Sequence, residues 1–78
     1  MNLELYQQVA LCQDLPEHQL RKGDLATLID RVPHPHGGED GFILEVFNAV
    51  GESIAVLTVI QSAVEPLRAN EILTVRSL

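Results

Sequence analysis

Ser53-Ile54-Ala55-Val56-Leu57-Thr58-Val59-Ile60, the run SIAVLTVI, is the stretch on which the fold turns. It holds no charge, no Gly and no Pro, and most of its residues are β-branched. Such side chains lose rotamer freedom in a helix and pack well on a pleated surface. The run is too short for a helix that would bury both sides, so it reads as a strand. Apolar residues on both faces predict cover on both faces, as in a central strand. The other reading of the same run is that one face is left uncovered and forms a seam with another chain.

Upstream, Ala49-Val50-Gly51-Glu52 reads as a hairpin turn, with Gly51 at a position that takes positive φ. Before it, Phe42 to Asn48 alternates, with Phe42, Leu44 and Val46 on one face and Ile43, Glu45 and Phe47 on the other. Pro33 to Asp40 (PHPHGGED) breaks the chain. Leu25 to Val32 is a further strand, launched by the Lys22-Gly23-Asp24 turn. Gln13 to Asp24 is a polar loop in which Pro16 to Leu20 can make one helical turn, with Leu15 and Leu20 tucked onto the core. The first strand is placed at Tyr6 to Cys12, with Leu5, Val9 and Leu11 facing one way. Downstream, Gln61 to Ala63 is a tight turn and Val64 to Leu67 a short edge strand, since Pro66 lacks an N–H. Glu71 to Val75 fits a sixth strand or a helical turn. Small all-β domains manage their edges by closing, so these elements predict a bent antiparallel barrel of five or six strands.

The 78 residues carry 11 acidic and 5 basic side chains, a net charge of −6, with 46% hydrophobic residues and three aromatics. One cysteine, Cys12, rules out an internal disulfide framework. The apolar fraction argues against disorder. No apolar run approaches the roughly 20 residues of a membrane helix, and Met1 to Gln8 does not read as a signal peptide. The expected setting is therefore the cytoplasm, with no membrane partner. One domain over residues 1–78 is the natural size, and a domain this small buries only about 60% of its unfolded surface.

Two blocks carry a family resemblance. The first is Asp14-Leu15-Pro16-Glu17-His18, Leu20, Lys22-Gly23-Asp24 and Thr27; the second is Gly51-Glu52-Ser53-Ile54-Ala55-Val56-Leu57-Thr58. In this order and spacing they resemble the family known as domain of unknown function 4926, from Leu5 to about Leu67, leaving 68–78 as a C-terminal extension. Gln19 and Ala26 stand where that pattern often has Gly, and the His-Pro-His-Gly-Gly stretch is longer than usual. The resemblance implies an SH3-like or KOW-like barrel and carries over no catalytic residue. It also suggests an immunity- or antitoxin-like protein, by association alone.

The candidate chemistry is sparse. His34 and His36 are the only candidate metal ligands, on a Pro/Gly loop remote from Cys12 and His18. Zinc needs three or four rigidly held ligands, so no metal and no cofactor is expected. Cys12 has no nucleophile signature and reads as a small hydrophobe. Glu39-Asp40 reads as solvated charge. Five scattered cations and three aromatics argue against nucleic acid, and the few aromatics also argue against proline-peptide binding. The expectation is a non-enzymatic protein-interaction module. In one form it is an acidic immunity- or antitoxin-type inhibitor that meets a basic partner through Asp14, Glu17, Glu39 and Asp40. In the other it is a self-assembling structural subunit.

Overall fold

The computed structural model describes residues 3–71. It is all-β: five strands, β1 (Gln8–Leu11), β2 (Leu25–Val32), β3 (Gly41–Phe47), β4 (Ser53–Ile60) and β5 (Val64–Pro66), with 3-10 turns at Pro16–His18 and Gln61–Ala63. All pairings are antiparallel, in the order β4-β3-β2-β1-β5. β2 and β4 span the residues the sequence assigns them. β1 is shorter than expected because Tyr6 sits at a φ of 66°, which turns the chain out of the strand. Leu5, expected to face inward beside Val9, is consequently 51% exposed.

The sheet is strongly curled, for a reason visible in its connections. β4 and β5 occupy opposite edges, which in a flat sheet would lie about 19 Å apart at roughly 4.8 Å per strand spacing. Only the turn Gln61–Ala63 joins them, and a 3-10 turn advances about 2 Å per residue. The sheet must therefore bend until the end of β4 meets the start of β5. The bend stops short of the expected closed barrel: β4 and β5 do not pair, and the sheet remains open. β5 is three residues long and ends at Pro66, which has no N–H to give to a neighbour. The expected sixth element, Glu71 to Val75, lies beyond Glu71 outside the described residues.

The core fills the concave side. Val9, Leu11, Leu28, Phe42, Leu44 and Val64 are its most deeply buried side chains. Leu15 and Leu20 bridge to each other and close one end of it, as their place in the polar loop suggested. On β3 the alternation holds, with Phe42, Leu44 and Val46 buried. On β2 it does not hold to the end. Leu28 pairs with Leu44 and Asp30 with Ile43, so Ile29 is a bulge residue. The extra residue reverses which side chains face inward. Arg31 thereby comes opposite Phe42, with its guanidinium 5.5 Å from the ring centroid and Nη2 donating to the Leu3 carbonyl.

β4 departs most from expectation. It is not a covered central strand but an edge strand. Leu57 and Val59 are buried and Ala55 packs against the core, whereas Val56, Thr58 and Ile60 are exposed on the convex side. An apolar run on both faces is equally the pattern of a buried strand and of an edge strand with a bare apolar face.

Candidate functional site

The bare face of β4 is the feature from which a site can be built. The β3–β4 hairpin positions it. Asn48 organises that turn: its Oδ1 accepts the N–H groups of Val50 (3.1 Å) and Glu52 (2.9 Å), and its Nδ2 donates to the Glu52 carboxylate (3.0 Å). Gly51 supplies the φ of +86° that completes it. From there β4 pairs with β3 along its whole length, so one row of its backbone groups is satisfied and the other row faces away from the sheet. A bulge between Val46 and Phe47 leaves Ile54 as the extra residue.

Across the convex surface, Ile60 lies in register with Gly41 and Val32, Thr58 with Ile43 and Asp30, and Val56 with Glu45 and Thr27. Val56 is 59% exposed and Ile60 51%, with Ile54, Phe47 and Val32 near 45%. At about 150–200 Å² for a large apolar side chain, these five present roughly 400 Å² of apolar surface. That is the size of the largest patch on an ordinary monomer, here concentrated beside an open strand edge.

The four acidic residues proposed as partner contacts are placed differently. Three are engaged in shaping loops. Asp14 accepts the Lys22 N–H (2.8 Å), Glu39 accepts the Ser62 N–H, and Asp40 accepts the His34 N–H while its carbonyl takes the Gln61 N–H. Glu39 and Asp40 thus tie the β2–β3 loop to the turn between β4 and β5. Glu17 is exposed on the first 3-10 turn. No buried polar or charged residue occurs among the described residues, so none of these carboxylates sits in an apolar wall.

The histidine loop brings His34 and His36 within 6.1 Å, ring to ring. The His34 Nδ1 already accepts the His36 N–H (3.0 Å). No group of three or more candidate ligands forms among the described residues. Cys12 is partly buried at the end of β1. Burial pushes its thiol pKa up, the Glu65 carboxylate pushes it further, and Lys22 opposes weakly. The result is a thiol held protonated, the reverse of an activated nucleophile. A depression lined by Leu3, Leu5, Asp30 and Arg31 is open to solvent. No helix among the described residues is long and apolar enough to cross a membrane.

The uncovered face was one of two readings of SIAVLTVI, and the run could not decide between them because pairing order is non-local. One signal did point to the uncovered face: SIAVLTVI has no inward/outward polarity, and a chain of 78 residues has little with which to cover two faces. A family model described as domain of unknown function (DUF4926) matches residues 5–66. No curated protein and no solved structure matches the chain.

Proposed function

The chain belongs to the domain of unknown function (DUF4926) family, and we propose that it acts as a protein-interaction module rather than as a catalyst. One observation carries this reading: β4 is a long edge strand whose outer backbone row pairs with no other strand among the described residues, and it has an exposed apolar face. An added strand would take up the outer N–H and C=O groups, and its side chains would cover Val56 and Ile60. Lysine at Val56 tests it. That side chain is 59% exposed, so the variant should keep its fold while losing whatever the edge binds. Val56→Lys material with an unchanged oligomeric state, and with the same stoichiometric protein partners in its native host, would overturn the reading.

A second reading is favoured by the charge of −6, which attracts a basic surface and speeds encounter with it. Its most specific form is the immunity- or antitoxin-type inhibitor. Glu17 is the residue to test, because Asp14, Glu39 and Asp40 also hold loops together and their reversal would disturb the fold. Glu17→Lys should lower the association rate with a basic partner at low salt. An unchanged rate would remove Glu17 from the contact surface.

A further inference from the structure

The two edges of the sheet are unlike, and the difference identifies the occupant of one of them. The β5 edge is three residues long and ends at Pro66, a short edge of the kind that resists strand addition. The β4 edge is eight residues long, and past the bulge at Ile54 near its start it carries no Pro, no Lys and no inward charge. We propose that a second copy of this chain docks on it, β4 against β4 in antiparallel fashion, to give a two-fold dimer with one continuous ten-stranded sheet. The proposal rests on the reading of β4 as a docking edge and goes further by naming what docks.

Charge selects this occupant. Each copy carries −6, so two copies repel wherever acidic residues face each other. β4 has no charged residue at all, and it is the strand on which two acidic copies can approach with no carboxylate between them. A basic partner would gain nothing from that neutrality. A two-fold axis also makes the contact self-complementary: each β4 is both donor row and acceptor row for the other.

The geometry limits the register. Directly opposed residues of an antiparallel pair point to the same face. Val56, Thr58 and Ile60 must therefore oppose one another across the axis, and Leu57 and Val59 must stay on the core side. That condition is met in full with the two-fold axis at Thr58, where Val56 opposes Ile60, Thr58 opposes its own counterpart and Leu57 opposes Val59. Any register shifted by one residue would put Val56 opposite a buried position. The roughly 400 Å² of apolar surface is below the ≈ 800 Å² per partner of a standard stable interface, so the dimer is a reversible one with a micromolar or weaker dissociation constant.

The test is sedimentation velocity and light scattering on the full chain from micromolar to near-millimolar concentration, with Val56→Lys alongside. The mass should rise from 8.6 kDa toward twice that for the wild type, and stay at 8.6 kDa for Val56→Lys with an unchanged circular dichroism spectrum. A second variant, Thr58→Cys in a Cys12→Ser background, should form a symmetric disulfide dimer under mild oxidation, faster than Glu17→Cys in the same background. A wild-type mass of 8.6 kDa at every concentration overturns the dimer. If that monomer still holds a stoichiometric partner that Val56→Lys loses, the docking edge stands and only its occupant was misidentified. A monomer whose β4 edge amides are protected from hydrogen exchange overturns both, because the edge is then covered within one chain.

Discussion

Replacing Asn48 tests how the hairpin that presents β4 is built. Its side chain makes three hydrogen bonds in one turn: two accepted from the Val50 and Glu52 N–H groups and one donated to the Glu52 carboxylate. A net contribution of about 0.5–1.5 kcal/mol is usual for one such bond, and exposed bonds fall at the lower end because water replaces them. Three at the lower end give about 1.5–2 kcal/mol for Asn48→Ala. For 78 residues at about 0.05–0.15 kcal/mol each, total stability is about 4–12 kcal/mol, so the loss is a substantial fraction of it. At about 4–8 °C per kcal/mol, the melting temperature should fall by roughly 6–16 °C. Asn48→Asp separates the contributions. It keeps both accepted bonds, loses the donor and faces the Glu52 carboxylate, so it should cost about half as much as the alanine change. Glu52→Gln added to it should restore a donor and recover most of the loss. Urea denaturation of the three variants, monitored by circular dichroism, measures all of this. An Asn48→Ala cost below about 0.5 kcal/mol, or an Asp variant as unstable as the Ala variant, would refute the assignment of the turn to the Asn48 side chain.

Three further outcomes follow from separate parts of the fold. Ala26 is 3% exposed and pairs with Val9, so Ala26→Gly should cost about 1.5 kcal/mol, from a buried methyl at about 0.8 and glycine's backbone entropy for the rest, read by urea denaturation. Gly51→Ala has open space around the new methyl, so its cost is conformational, about 1–2 kcal/mol for an L-residue at a φ of +86°; asparagine there should recover part of it, as thermal melts would show. Cys12 should react with iodoacetamide at pH 8 more slowly in the folded protein than in urea, and Glu65→Gln should speed the folded reaction, since the carboxylate helps to hold the thiol protonated. Because the folded thiol pKa lies above the unfolded one, its contribution to stability is complete below the unfolded value. It is lost as pH rises through the folded value, so Cys12→Ser should flatten the stability curve at alkaline pH.

The strands were legible wherever local chemistry decides them. Gly23 and Gly51 mark turns by the positive φ they adopt, Pro33 to Asp40 interrupts the pattern, and Phe42-Leu44-Val46 reports its own buried face. The turn Gln61–Ala63 was also readable, between a β-branched run and a strand ending in Pro. What could not be read was set by contacts distant in sequence. The β2 bulge at Ile29 has no Gly or Pro to announce it, yet it places Arg31 on the side of Phe42. Whether β4 is central or at an edge depends on β5 pairing with β1 instead, and β5 lies outside the run being read. The acidic residues were read as free charge because nothing local shows that Glu39 reaches Ser62, 23 positions away.

The stability variants and the edge variant together separate folding from association. Ala26 lies in the β1–β2 pairing, two strands from β4, while Val56 is on β4 and exposed. A partner that binds only the folded state raises the melting temperature with concentration. In the wild type the melting temperature should therefore climb as the protein is concentrated. Ala26→Gly should melt earlier at every concentration with the same climb, because it weakens the fold and leaves the edge intact. Val56→Lys should match the dilute wild type and show no climb, because it leaves the fold and removes the edge. Asn48→Ala should show both effects, since the hairpin it loosens is the one that sets where β4 begins. If Val56→Lys keeps the concentration dependence, association runs through a surface other than β4. The neutrality of that strand would then be a property of the fold alone.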